Sequence, residues 1–138
     1  MKTRILTLLM GTLLALAAIG CSPRPTFVTV EDGHFVRDGK PYTYIGTNFW
    51  YGPILASEGR GGDIDRLRKE LDALKELGID NLRVLVGGDG ADGVYSRVEP
   101  TLQTAPGVYN DTLLVGLDRF LVELGKRDMQ AVLYVNNS

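Results

Sequence analysis

Cysteine and histidine are almost missing from these 138 residues; one of each occurs, Cys21 and His34. A lone Cys has no disulfide partner within the chain, and a lone His has no second imidazole with which to make a metal pair. We therefore expect no metal and no cofactor. Charge of one sign is lacking as well: 15 Lys and Arg stand against 17 Asp and Glu, a formal net charge of -2. Such a balance gives no reason to expect a nucleic acid partner, and a hydrophobic fraction of 44% is ordinary for a chain that folds. His34 lies beside the turn signal Asp32-Gly33 and reads as a solvent-facing strand residue.

A long apolar run occurs once. Lys2 and Arg4 precede a stretch from Ile5 to Ile19, the basic and apolar regions of a secretory signal, which is too short and too early for an ordinary membrane span. Cys21 follows Ala18, Ile19 and Gly20, the layout of a bacterial lipoprotein signal cut before a lipid-modified Cys, although Ala18 stands where that pattern prefers Leu. The alternative is a stray thiol beside an ordinary cleavage site. Residues 1–20 are thus expected to be a lipoprotein signal peptide. Residues 21–26, with Pro23 and Pro25, read as an extended tether. Acyl chains on Cys21 would make the protein exported and membrane-anchored, at the periplasmic or cell surface, without a spanning segment.

Beyond the tether, Phe27 to Val30 alternates as a strand does, and Asp32-Gly33 and Asp38-Gly39 are hairpin signals, so a small antiparallel lead-in is expected. Tyr42 to Ile45 is rich in β-formers and runs into Gly46-Thr47-Asn48-Phe49-Trp50-Tyr51-Gly52. Adjacent aromatics at a strand end have two readings, a core filled from alternate sides or a platform on which the apolar faces of sugar rings stack. Pro53 to Gly62 reads as a Gly-rich loop.

The strongest pattern spans Ile64 to Gly90. Ile64, Leu67, Leu71, Leu74 and Leu77 recur at helical spacing behind the N-cap candidate Asp63, and Gly78 suits the left-handed position past the last turn. Opposite charges four apart, Asp65 with Lys69, Arg66 with Glu70 and Arg68 with Asp72, predict a solvated outer face. Leu82, Val84, Leu85 and Val86 read as a buried strand with Arg83 inside it. A buried cation is costly unless acceptors meet it, so this strand must aim Arg83 at something acidic or wet; an ordinary structural ion pair is the alternative.

Gly87 to Gly93 is an acidic glycine loop. No helix follows at once and the glycine spacing does not match the dinucleotide fingerprint, which argues against a phosphate cradle. Tyr95 to Val108 reads as an irregular excursion. Asn110 or Asp111 can cap a second helix whose inner side carries Leu113, Leu114, Leu117, Phe120, Leu121 and Leu124, and Gly125 is followed by the strand Ala131 to Val135. The unit helix, Gly, strand thus repeats. Strands alternating with helices imply a parallel sheet with covered faces.

Three segments carry a family resemblance: Gly46 to Tyr51, Leu71 to Val84, and Tyr134-Val135-Asn136-Asn137. They resemble glycoside hydrolase family 5, and among its branches the endo-β-1,4-mannanases, including bacterial lipoprotein members. The resemblance implies that residues 27–138 are an incomplete glycoside hydrolase catalytic domain. Their fold class would be α/β, the N-terminal portion of a (β/α)8 TIM barrel with about three βα units behind a leading β-hairpin; a whole barrel needs about 250 residues.

It also implies endo-hydrolysis of β-1,4-mannosidic linkages with retention, by two glutamates about 5 Å apart at the ends of the fourth and seventh strands. Neither strand is expected here, so the fragment alone should be inactive, and Glu58, Glu99, Asp89 and Asp92 match no catalytic position. Arg83 matches the second-strand arginine that orients the nucleophile. Trp50 matches a sugar-contacting tryptophan, Tyr51 is its neighbour, and Asn136 and Asn137 match a cleft-lining motif of the third strand. The implied partner is β-mannan or a related plant polysaccharide. The alternatives are another activity of the family, such as cellulase or exo-β-mannosidase, or a non-catalytic glycan-binding lipoprotein.

Overall fold

The two Asp-Gly pairs do what their sequence requires. Asp32 and Gly33 have φ of 48° and 79°, Asp38 and Gly39 have φ of 54° and 69°, and two consecutive positive values are the backbone of the tight hairpin turn. They join β1 (Thr29–Glu31), β2 (His34–Arg37) and β3 (Lys40–Pro41) into an antiparallel sheet of order β1-β2-β3, with Val30 opposite Phe35 and Val36 opposite Pro41. His34 is exposed on β2, as expected. The structure is a computed structural model that describes residues 27–135. The expected signal segment (residues 1–20), the expected tether with Cys21, and Asn136 and Asn137 lie outside the described residues.

The chain divides between Pro41 and Tyr42 into two units. In the second, β4 (Gly46–Asn48), β5 (Asn81–Leu85) and β8 (Gln130–Tyr134) form a parallel sheet of order β4-β5-β8, and Leu82 lies opposite Thr47 on one side and Ala131 on the other. The first parallel strand was expected at Tyr42 to Ile45. It starts later because a ladder needs a partner: Gly46 is the residue that meets Asn81, while Tyr42 and Tyr44 stack on each other with ring centroids 5.5 Å apart.

Helix α2 (Ile64–Glu76) begins where Asp63 accepts from the Arg66 amide at 2.9 Å and stops before Gly78, whose φ is +80°. Helix α3 (Asp111–Gly125) is capped by Asn110, which accepts from the Leu113 amide. It ends differently from α2: Gly125 is its last helical residue and Asp128 takes the left-handed φ of 51°.

Two elements escaped the sequence reading. Gly52–Ala56 is a single helical turn, α1, with Pro53 in its first turn, too short to show a period. Within the expected irregular excursion, β6 (Gln103–Ala105) and β7 (Val108–Tyr109) pair as a hairpin around Pro106-Gly107. That turn dipeptide was its one legible signal.

The core lies between one face of the sheet and the helices. Leu82 and Val84 of β5 pack with Phe49, Leu55, Leu67, Leu71, Phe120 and Leu124, all at most 4% exposed. Gly52 and Gly116 let α1 and α3 come close, since a Cβ at Gly52 would lie 2.6 Å from the Phe120 ring and one at Gly116 2.4 Å from the Pro53 carbonyl oxygen. Leu114 and Leu121, expected inside, are exposed. Glu123 is buried in their place. Both crossovers, through α1–α2 and through α3, contribute to this one core, so among the described residues the helices lie on a single face of the sheet; on the other face Asn81 and Leu85 of β5 are buried while Arg83 between them is exposed. No helix of the described residues is long and apolar enough to cross a membrane.

Candidate active site

Side chains two apart on a strand share a face, so burying Leu82 and Val84 under the helices turns Asn81 and Arg83 to the other side. The register extends that face across the sheet: Gly46 and Asn48 from β4, Asn81 and Arg83 from β5, and Val132 and Tyr134 from β8. Together with Tyr44 and Thr47, the first five of these line a depression of about 480 Å³. Asn81 is 5% exposed and donates to the Tyr42 hydroxyl at 3.3 Å. Arg83 is the only exposed residue of β5.

Its guanidinium has two partners. Nη1 lies 3.4 Å from Asn48 Oδ1, a long hydrogen bond to the residue directly opposite in register, and Cζ sits 3.8 Å from the centroid of the Tyr134 ring. A cation over an aromatic face is attracted by the ring quadrupole. Among the described residues no carboxylate forms an ion pair with Arg83, whereas Arg60, Arg66, Arg68, Arg119 and Arg127 each have one. The alternative reading, an ordinary structural ion pair, is thus not formed within residues 27–135. A cation with open N–H donors on an exposed sheet position can bind and keep ionised a carboxylate brought to it.

The three aromatics at the end of β4 take different places. Phe49 continues the ladder, its amide donating to Arg83 O at 2.9 Å, and its buried ring stacks on Phe120 with centroids 5.9 Å apart. Trp50 is 45% exposed. Tyr51 is half-buried against Phe49, and its hydroxyl donates to Glu70 Oε2 at 2.8 Å. Burial first, then the Glu70 hydrogen bond, raises the Tyr51 phenol above its ordinary value. The core and platform readings therefore divide among neighbours: Phe49 fills the core, Trp50 offers an accessible ring, and Tyr51 meets Trp50 edge-on at 81° while its polar tip is committed to α2.

The acidic loop residues are each held. Asp89 accepts from Gln103 Nε2 at 2.9 Å, and Asp92 from the Thr101 amide at 2.8 Å, the bond that chiefly holds its carboxyl below the usual range. Glu99 accepts from Arg60 at 2.8 Å and from the Gly93 amide, and Glu58 pairs with Arg119 at 2.7 Å. These carboxylates stitch loops. The acidic glycine loop is thereby tied to the segment from Glu99 to Gln103.

A larger groove of about 760 Å³ lies in the helical layer, between the segment around Ser57 and Asp63 and α3. Its charges serve the fold. Glu123, buried at 4% exposure, accepts from Lys126 at 2.7 Å, Arg127 at 2.9 Å and Arg68 at 3.3 Å. Lys126 first, then Arg127 and Arg68, hold its carboxyl down at about 2 against an ordinary 4.5, although burial opposes them. The outer face of α2 is partly drawn into this cluster: Arg66 pairs with Glu70 as expected, but Arg68 turns to Asp65 and Glu123, and Asp72 is taken by Arg127.

Of the residues singled out from sequence, Arg83 stands on the open face and Trp50 and Tyr51 lie past the end of β4, one exposed and one tied to α2. Asn48 and Tyr134 were quoted in motifs but given no role. Counting by twos from Arg83 across an assumed parallel register was the signal that could have found them.

Comparison with known proteins gives this arrangement a context. Residues 25–138 match the model of the family described as GH family 5 beta-mannosidase-like. A mannan endo-1,4-beta-mannosidase of Solanum lycopersicum is 28% identical over 128 residues, covering 91% of this chain and 29% of that one. A glycoside hydrolase family 5 mannosidase from Rhizomucor miehei, solved also in complex with mannosyl-fructose, superposes with a TM-score of 0.73 at 36% identity over 78% of this chain and 27% of that one. An endo-1,4-beta-mannanase from the same organism shares the fold at a TM-score of 0.57 and 23% identity, over 78% of this chain and 29% of that one. The chain spans less than a third of the length of each of these relatives. With its matched region reaching from residue 25 through all three parallel strands, this chain belongs to glycoside hydrolase family 5, in the beta-mannosidase-like group.

Proposed function

We propose that this chain supplies the first βα units of a (β/α)8 barrel that hydrolyses β-1,4-mannosidic linkages inside mannans with retention of configuration. Sequential strand order with both crossovers on one side is the pattern of a barrel wall, and the face away from the helices would be its interior. The observation that carries the proposal is Arg83: a fixed guanidinium on that face with no carboxylate partner among the described residues. A retaining glycosidase needs its nucleophile ionised, and a guanidinium within a few Å lowers a carboxylate pKa by roughly one to three units. Trp50 offers an apolar ring to a sugar face, with Tyr51 buttressing it edge-on. Asn136 and Asn137, which follow β8 in sequence, would line the cleft as the family resemblance implies, and Cys21 would carry the lipid that anchors the exported enzyme.

A second reading is exo-acting β-mannosidase. It is favoured by the family description and by the Rhizomucor miehei mannosidase, which is the more similar of the two fungal structures. Digestion of mannan, cellulose and xylan by the full-length protein separates these readings. Release of mixed manno-oligosaccharides with initially retained anomeric configuration supports the endo proposal. Release of mannose alone supports the exo reading, and hydrolysis of cellulose or xylan but not mannan overturns both.

A further inference from the structure

Arg83 is a long side chain on an exposed sheet face, yet two contacts restrain it in different ways. The Tyr134 ring, with its centroid 3.8 Å from Cζ, bounds the guanidinium on one side. Asn48 Oδ1 accepts from Nη1 at 3.4 Å and so fixes a direction. The register explains why both are needed. Asn48 is directly opposite Arg83 on β4, whereas on β8 the opposite residue is Val132 and Tyr134 is the next residue on the same face toward the C-terminal ends of the strands. The guanidinium therefore leans to that end of the sheet with Nη1 engaged, and its Nε and Nη2 donors are those left for a bidentate acceptor.

We infer that Asn48 and Tyr134 are positioning residues that clamp Arg83 so that its free N–H edge meets the nucleophile carboxylate already oriented. The inference rests on the reading of Arg83 given under Proposed function. An unclamped arginine would lose its rotamer freedom only on pairing, and the ionised nucleophile would be correspondingly less favoured; a clamp set by the fold removes that cost beforehand. Lys at position 83 could not use the clamp, because an ammonium has no planar fork to match.

The test is the pH dependence of kcat/KM for the full-length enzyme on a manno-oligosaccharide, whose acidic limb reports the nucleophile in the free enzyme. Arg83→Ala should raise that limb by roughly one to three units. Tyr134→Leu and Asn48→Ala should each raise it by about half a unit, the size of one exposed cation–π contact or hydrogen bond, and lower kcat more than they raise KM. Tyr134→Phe keeps the ring and should rescue the Tyr134→Leu profile. A purely structural role would lower melting temperature without moving the limb. If Arg83→Ala moves the limb and neither Tyr134→Leu nor Asn48→Ala does, the clamp is overturned while the role of Arg83 stands. A limb unmoved by Arg83→Ala removes both. Failure of Tyr134→Phe to rescue overturns the stacking half of the clamp. Should Tyr134→Leu not fold, the solvent-facing Asn48→Ala decides the matter.

Discussion

Arg127 and Arg83 lie on opposite sides of the same sheet, and the protein treats them oppositely. Arg127, 14% exposed, is satisfied from within the helical layer by Asp72 at 2.6 Å and Glu123 at 2.9 Å. Arg83, on the open face, is met by an amide oxygen and an aromatic ring. A cation that serves only the fold is neutralised by neighbours that fold with it, because a charge left without acceptors in low dielectric is costly. One held by neutral groups keeps its field for a charge that is not yet there. The first arrangement locks α2 to α3; the second stores an electrostatic capacity.

The contrast is broken most directly by exchanging the consequences of the two side chains. In the full-length enzyme Arg83→Ala should cost roughly a hundredfold or more in kcat, by analogy with loss of one preorganised donor, while stability shifts by no more than about 0.5 kcal/mol. Arg127→Ala should do the reverse, lowering the melting temperature with kcat per folded molecule unchanged. If urea titration and initial rates gave the same signature for both variants, the two sides of the sheet would not differ in kind.

Glu123 is the hub of the structural side, and its removal should produce the largest stability effect. Glu123→Ala leaves Arg68, Lys126 and Arg127 facing one another around a vacated carboxylate site. A loss of about 2–3 kcal/mol is expected, at or below the low end for a broken buried pair because Arg68 and Lys126 are half-exposed and can turn to water. Catalysis should be spared. A variant as stable as the parent would show that the cluster gains nothing over its desolvation.

The same carboxylate predicts an acid limb of stability. Its folded pKa, about 2, is depressed from an ordinary 4.5. The unfolded state therefore binds its proton first as pH falls, so the stabilisation is complete above about pH 4.5 and declines as pH drops toward 2. Glu123→Gln should flatten that part of the curve of unfolding free energy against pH. An identical slope in parent and variant would assign the acid sensitivity to other groups.

How much of this was legible in the sequence follows from where the information resides. Helix α2 could be read because Ile64, Leu67, Leu71 and Leu74 recur at intervals of three and four between a side-chain cap and a left-handed glycine, all of it local, although Leu77, read with them, lies past the last helical residue and is exposed. The hairpin turns were legible for the same reason. The start of β4 was not, since Tyr42 to Ile45 has the better β-propensity and only the position of Asn81 decides which residues pair. The Glu123 cluster was hidden likewise: Arg68 and Glu123 are far apart in sequence and look like ordinary helix-surface charges until α2 packs on α3. Arg83 was legible as an anomaly, a charge within an apolar strand. Its neighbours Asn48 and Tyr134 were invisible as partners until the register was known.

The smallest expected effect sharpens the comparison within one aromatic run. Trp50 and Tyr51 are adjacent and touch edge to face, yet one presents a ring to solvent and the other gives its hydroxyl to Glu70. Trp50→Ala should weaken manno-oligosaccharide binding by about 1 kcal/mol, roughly fivefold in Kd, with little change in stability. Tyr51→Phe removes a part-buried hydrogen bond and should cost about 0.5–1.5 kcal/mol of stability while leaving Kd unaltered. Calorimetric titration and thermal melts of the two variants, measured in parallel, decide it. Unaltered affinity in Trp50→Ala would remove that ring from the cleft, and weakened affinity in Tyr51→Phe would mean that the Glu70 hydrogen bond orients the ring beside it. The aromatic run would then act as one unit, with α2 helping to set the platform on which a sugar stacks.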